Sequence, residues 1–210
     1  MKSKYLKGED PRQLLEKKVR DEGRLPPGQS ATIKWPILHE GALPRFDPAT
    51  WDFKAGGLVE TPVTLTWDQM KALPRREVVS DFHCVTRWST FDNRWEGVPV
   101  REILSRAIPG PEARFVMAVG HVGEKRYGYS TNIPLADIDR EDVLLAMRHN
   151  GDDLAAEHGG PLRLLVPHLY GWKSGKWIRG LIFMDDDKAG YWEERGYHMR
   201  GDPFREERFR

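Results

Sequence analysis

The sequence predicts an α+β domain over residues 31–210, preceded by a polar N-terminal extension, residues 1–30, that carries one short helix. Three observations predict it. Six short segments (58–65, 77–85, 114–119, 126–131, 162–166 and 177–184) are rich in Val, Ile, Leu, Phe, Tyr and Trp, which suit a pleated, half-buried surface. Helix signatures between them are few and brief. Gly (20) and Pro (15) are spread along the chain, which favours many turns and short elements.

Asp10 is a good N-cap and Pro11 suits the first helical position, so a helix starts there and Gly23 can stop it. Leu14, Leu15 and Val19 give it only a thin apolar stripe, so it is peripheral. LPPGQS, residues 25–30, reads as a linker. Pro62 confines segment 58–65 to a sheet edge, because proline donates no ladder hydrogen bond. Thr66 and Gln69 form a capping box just before Met70, and Pro74 ends that helix. Pro99 opens another, in which Val100, Ile103, Leu104 and Ala107 share one face. Residues 143–149 are apolar enough for strand or helix. Asn150-Gly151, a hairpin turn pair, favours the strand.

Composition excludes several classes. Hydrophobic residues at 39% and charged residues at 31% can build a core and a solvated surface, against wholesale disorder. Lys+Arg 33 against Asp+Glu 32 gives +1, so binding of nucleic acid through bulk charge is disfavoured. A single cysteine rules out an intrachain disulfide and any multi-cysteine zinc or iron–sulfur site. No run of 18 apolar residues exists, so no membrane span is expected. The stretch MKSKYLKGEDPRQLLEKK has no apolar core followed by a small-residue cleavage site, and a cytoplasmic location is the default expectation.

Four clusters could carry chemistry. Cys84 lies in DFHCVTRWS, between His83 and, three residues on, Arg87. Cations lower a thiol's pKa and make thiolate available as nucleophile or soft ligand, although a lone cysteine is more often a small buried hydrophobe. One thiolate cannot complete a tetrahedral zinc site without several His or carboxylate partners, but it can serve a metal whose other ligands come from a cofactor. HGGPLRLLVP, residues 158–167, delivers Arg163 into an apolar strand, where a buried guanidinium needs an anion and phosphate suits its fork. YGWKSGKW, residues 170–177, packs Lys173, Ser174 and Lys176 among glycines, which suits an anion cradle or a basic hairpin turn equally well. It is no Walker loop, since the GxxxxGK[ST] spacing is missing. GYWEERGYHMRGD, residues 190–202, alternates aromatic and charged residues and could close over a pocket, with Tyr197 a possible donor to an oxygen-rich substrate. His39 and His121 sit at strand or loop ends.

Together these segments resemble the sulfite oxidase family of molybdopterin enzymes, in particular its small haem-free bacterial members. FHCVTRWS resembles the strand bearing the molybdenum-binding cysteine. HGGPLRLLVP resembles the family's His-Gly-x-Pro-x-Arg-x-x-x-Pro run, and GWKSGKW its phosphate-holding loop. WEERGY resembles the segment whose tyrosine faces the metal, and FDPATWDFKAGGLVE resembles the first strand. The resemblance runs from about Trp35 to Arg200, in the family's order. It implies a sulfite-oxidase-type fold of mixed β-sheets with short helices, a Mo-molybdopterin cofactor and oxygen-atom transfer to or from a small substrate, with electrons passing to a separate redox partner. It implies Cys84 as the molybdenum ligand, His158 and Arg163 on pterin and phosphate, and Lys173, Ser174 and Lys176 around the phosphate. Tyr197 would stand near the metal's open face, Arg87 would supply positive charge, and His39, Glu40 and His121 would touch the pterin. The chain also departs from the pattern. Leu38 stands where sulfite oxidases carry an anion-binding arginine, and Val-Thr-Arg-Trp-Ser follows the cysteine in place of Gly-Asn-Arg-Arg. Trp88-Ser89 matches the branch that reduces oxidised methionine. Two rival readings are a cofactor-free cysteine enzyme, with Cys84 as nucleophile and a histidine as base, and a non-catalytic module whose basic turn grips a phosphorylated ligand.

Overall fold

A computed structural model describes residues 10–122 and 125–210, with side chains from 10–121 and 128–210. The first nine residues of the N-terminal extension lie outside it. Helix α1 (Pro11–Asp21) starts as expected, with the Asp10 carboxylate accepting the Arg12 N–H at 2.9 Å and Pro11 in its first turn. It buries Val19, and Gly23 (φ +68°) follows its end in the left-handed region that glycine tolerates.

The segment expected to be a linker is packed instead. Leu25 and Gln29 are buried, and β1 (Ser30–Ala31) pairs in parallel with Trp88 and Ser89. Strand β2 (Asp52–Gly57) and strand β3 (Val63–Thr66) pair antiparallel, and Pro62 keeps 58–61 out of the ladder. Helix α2 (Trp67–Lys71) carries the full capping box of Thr66 and Gln69. Strand β4 (Arg76–His83) runs into a tight turn at Cys84 and returns as β5 (Trp88–Pro99), the longest strand, which propensity did not announce. Helix α3 (Val100–Ala107) buries the four residues read as its apolar face. Strands β6 (Phe115–Val122) and β7 (Lys125–Pro134) pair antiparallel, and a one-turn helix α4 (Leu135–Ile138) follows. Strand β8 (Leu144–His149) turns through Asn150 (φ +51°) and Gly151 (φ +93°) into β9 (Asp152–Asp153). Strands β10 (Arg163–Leu165) and β11 (Ile178–Met184) complete the fold.

Two mixed sheets result. One has the order β1-β5-β8-β10, with β4 also on β5 and β9 on β8; the other has the order β3-β2-β11-β6-β7. They share a core in which Phe53, Val98, Ile103, Val116, Leu145, Leu164 and Phe183 meet. A fully buried side chain of this kind contributes about 1.5–3 kcal/mol of transfer free energy. Phe82, Trp95, Leu144, Ala146 and Leu165 form a second cluster on the other face of the first sheet, joined by Trp35 and Trp88. Strand β8 is therefore covered on both faces, which is why 143–149 is apolar throughout. Among the described residues no helix is long and apolar enough to cross a membrane.

Candidate active site

A cavity of about 470 Å³ opens where the second cluster, the segment 35–40 and the loops 171–176 and 192–197 converge. Cys84 lies on its wall because the β4–β5 turn is tight: the Arg87 N–H donates to the Cys84 carbonyl at 3.0 Å, and the Cys84 N–H donates to the Trp88 carbonyl at 2.9 Å. The Sγ lies 3.1 Å from Thr86 Oγ1. Burial pushes the thiol pKa up, while Thr86, Arg163 and Arg208 pull it back towards thiolate.

Arg163 faces the same cavity. It is 3% exposed, and the planes of Trp35 and Phe82 lie 5.5 and 5.0 Å from its guanidinium. Nη1 donates to the His158 carbonyl at 2.8 Å, while Nε has no partner among the described residues. Burial holds its pKa down at about 9. His158 stacks on Trp35 with centroids 3.9 Å apart, its Nδ1 is also buried without a partner among the described residues, and burial with nearby Lys176 and Arg163 lowers its pKa to about 4. Lys176 donates to the Leu38 and Glu157 carbonyls at 2.8 and 2.5 Å; burial, then Arg163, lowers it to about 7. Ser174, also on the wall, accepts the Val166 N–H at 2.9 Å.

Three cationic or protonatable groups thus crowd one cavity around a thiol, and two of their buried nitrogens have no hydrogen-bond partner among the described residues. Such a set of donors asks for an anion with several acceptor oxygens or sulfurs. Among the described residues no group of three or more His, Cys, Asp or Glu is placed to hold a metal ion. A metal ligated here through the lone thiolate must bring further ligands with it, as a pterin dithiolene ending in a phosphate does. The residues present fit that group.

Another stretch of the wall is aromatic. Tyr197 stacks on Trp192 (5.1 Å) and meets Trp172 edge-on (5.0 Å), and its hydroxyl makes no hydrogen bond among the described residues. Burial, then Cys84, raises its pKa. Glu40 accepts from the Tyr191 hydroxyl at 2.6 Å, and its backbone exchanges hydrogen bonds with the Tyr129 hydroxyl; His39 packs edge-on against Trp177.

Three residues singled out in the sequence stand off this wall. Arg87 turns back over Gly28, where an added Cβ would fall 2.9 Å from its Nη1. Lys173 is wholly buried, and its ammonium donates to Asn132 O (2.7 Å) and Oδ1 (2.8 Å), Glu193 Oε1 (2.6 Å) and the Met199 carbonyl (2.5 Å). It has no proton left for a phosphate, so the structure makes it a clamp between loops. His121 lines a separate groove with Asp52 and Arg179. Conversely, Trp35, Thr86, Trp192 and Arg195 line the cavity without having stood out. The spacing of Thr86, two residues past the cysteine, was the one available signal.

Residues 40–192 match the family described as the oxidoreductase molybdopterin binding domain. The chain belongs to this family. As a member of the molybdopterin binding domain family it binds a molybdopterin cofactor and is a molybdenum-dependent oxidoreductase. It is 46% identical over 188 residues to the uncharacterized oxidoreductase YuiH of Bacillus subtilis (strain 168), covering 89% of this chain and 92% of that protein. It is 31% identical to the putative protein-methionine-sulfoxide reductase subunit YedZ1 of Azospira oryzae, over 74% of this chain and 57% of that protein. The sulfane dehydrogenase SoxCD of Paracoccus pantotrophus superposes with a TM-score of 0.62 at 25% identity, covering 70% of this chain and 41% of that chain. The fold is of the sulfite oxidase type. The chain thus spans nearly all of YuiH and little more than half, or less, of the other two.

Proposed function

We propose that the cavity holds the molybdopterin with Cys84 as the protein's ligand to molybdenum, and that the enzyme transfers an oxygen atom to or from a small substrate. The observation that carries this is the meeting of the sole thiol with the Arg163, His158 and Lys176 side chains in the lining of one cavity. When bound, the cofactor supplies a two-electron metal centre for oxygen-atom transfer.

The chain's own residues then have distinct tasks. Arg163 and Lys176 would neutralise the phosphate, and the anion would stabilise the charged forms that burial disfavours. His158, held flat by Trp35, donates to the pterin, and His39 and Glu40 close over it from segment 35–40. Thr86 hydrogen-bonds the Cys84 sulfur and fixes its direction. Tyr197 offers its free hydroxyl to a substrate oxygen, and Trp172 and Trp192 exclude water around it. Electrons pass to a separate redox partner. Sulfoxides are the first substrates to assay, because YedZ1 carries a methionine-sulfoxide reductase name and Trp88-Ser89 stand beside the cysteine.

A cofactor-free thiol enzyme is the weaker reading, since Cys84 Sγ meets Thr86 Oγ1 where such an enzyme needs an imidazole. Protein made in a host that assembles the cofactor is expected to carry near-stoichiometric molybdenum, and Cys84→Ser to lose most of it while keeping its circular dichroism spectrum. A Cys84→Ser protein with undiminished molybdenum would overturn the ligand assignment.

A further inference from the structure

The turn that presents Cys84 is not self-supporting. Arg87 sits at φ +72°, in the left-handed region that a side chain disfavours. Two of the turn's carbonyls are caught by buried side chains from distant parts of the chain. Gln29 Nε2 donates to the Cys84 carbonyl at 2.9 Å. Arg208 Nη1 donates to the Val85 carbonyl at 2.9 Å, and its Nη2 donates to the Pro27 carbonyl at 3.1 Å. Gln29 and Arg208 are each 5% exposed, and the ring of Tyr170 lies 5.0 Å from the Arg208 guanidinium. The Ser30 N–H closes the same arrangement on the Arg87 carbonyl at 3.0 Å.

Neither side chain reaches the cavity, so neither serves the cofactor directly. Their positions are costly to fill without a use. Among the described residues the Arg208 guanidinium has no carboxylate nearer than Glu206 at 3.9 Å, and its hydrogen bonds go to the backbone of Val85 in the turn and of Pro27. Gly28 leaves room for the side chains gathered here, since an added Cβ would fall 2.8 Å from Glu206 Oε1, 2.9 Å from Arg87 Nη1 and 3.3 Å from Arg208 Nη2.

We propose that Arg208 and Gln29 are positioning residues that lock the Cys84 turn from behind, one from each end of the fold, so that Sγ faces the cavity before the cofactor arrives. This rests on the reading of Cys84 as the molybdenum ligand. The lock itself is testable without metal. Hydrogen exchange on cofactor-free protein is followed by mass spectrometry in wild type, Arg208→Gln, Arg208→Lys and Gln29→Leu. The expected result is faster exchange of the amides of residues 84–88 by roughly five- to ten-fold in Arg208→Gln and Gln29→Leu, the factor one ordinary hydrogen bond is worth. Peptides from β6 and β11 should be unchanged, and Arg208→Lys, which keeps a charged donor, should fall between. In protein loaded with cofactor, Arg208→Gln should lose molybdenum faster on dialysis. Unchanged exchange at 84–88, or equal acceleration throughout the chain, would overturn the lock. If Arg208→Gln fails to fold, Gln29→Leu decides alone. Undiminished molybdenum in Cys84→Ser would sink the ligand reading but leave the exchange result standing, so the two failures are told apart.

Discussion

Lys173 shows how much a single side chain's meaning depends on what it meets. In the sequence it is one of two lysines in a glycine-rich basic loop, and both read equally well as phosphate donors. In the structure Lys176 reaches the cavity, whereas Lys173 points inward to Glu193, which also accepts from Thr131 Oγ1 and Trp172 Nε1, each at 2.9 Å. Residue spacing carries no sign of which face of an irregular loop is inside, so the two could not be told apart. The same holds for Arg87, which lies beside Gly28 and outside the cavity's lining. Cys84 and Arg163 stood out because a thiol and a guanidinium carry their own chemical logic in those segments, whereas His158 came only from the family resemblance; the structure brings all three to the lining of one cavity. The buried pair makes a prediction. Both ends have no exposure, so removing one charge strands the other. Glu193→Gln is expected to lower stability by about 3–5 kcal/mol, while the paired change Lys173→Met with Glu193→Leu costs much less. Urea unfolding of the two variants checks this; equal losses would mean that the pair acts through packing rather than charge.

Among the elements, β5 is central yet was invisible. It pairs with β1, β4 and β8 and so holds the first sheet together. Its sequence, WSTFDNRWEGVP, is rich in Asp, Asn, Arg, Glu and Gly, which propensity places in turns and surfaces. Tertiary pairing overrides that preference. The apolar strands β6, β8 and β11 and the capped helix α2 were legible because hydrophobicity and caps are local signals. The linker reading of 25–30 failed for the opposite reason: Pro-Pro-Gly marks a backbone shape, not exposure. Gly97 in β5 shows what the pairing demands. The ladder with β8 shifts register between Glu96 and Gly97, and a Cβ at Gly97 would lie 2.2 Å from the Leu145 carbonyl oxygen and 2.6 Å from the Ala146 Cα. Backbone atoms cannot swing aside as a side chain can. Gly97→Ala is expected to cost about 3 kcal/mol, whereas Gly56→Ala, where a Cβ meets nothing within 4 Å, should be close to neutral. Similar urea midpoints for the two proteins would contradict this account of the β5–β8 contact.

The molecule as a whole is built at odds with itself when the cofactor is missing. Two sheets and the segments joining them bury a well-packed apolar core, and against it stands a cavity wall where Arg163, His158 and Lys176 converge with their charged forms disfavoured by burial. No carboxylate forms an ion pair with Arg163 or Lys176 among the described residues. A buried cation without a counter-ion destabilises a fold, and the same cation stabilises it once an anion binds. Arg163 should therefore have opposite effects in the two forms. Arg163→Met keeps the apolar contacts with Trp35 and Phe82 and removes the charge and the unpartnered Nε. Cofactor-free Arg163→Met is expected to unfold at a higher urea concentration than cofactor-free wild type, by about 1–3 kcal/mol. The cofactor-loaded variant should lose most of the stability that loading gives the wild type and retain less molybdenum after gel filtration. The comparison needs four melts, two proteins with and without cofactor, and its decisive quantity is the difference of differences. If Arg163→Met weakened the cofactor-free protein as a core deletion does, the guanidinium would be a structural strut, and the phosphate would have to be held elsewhere.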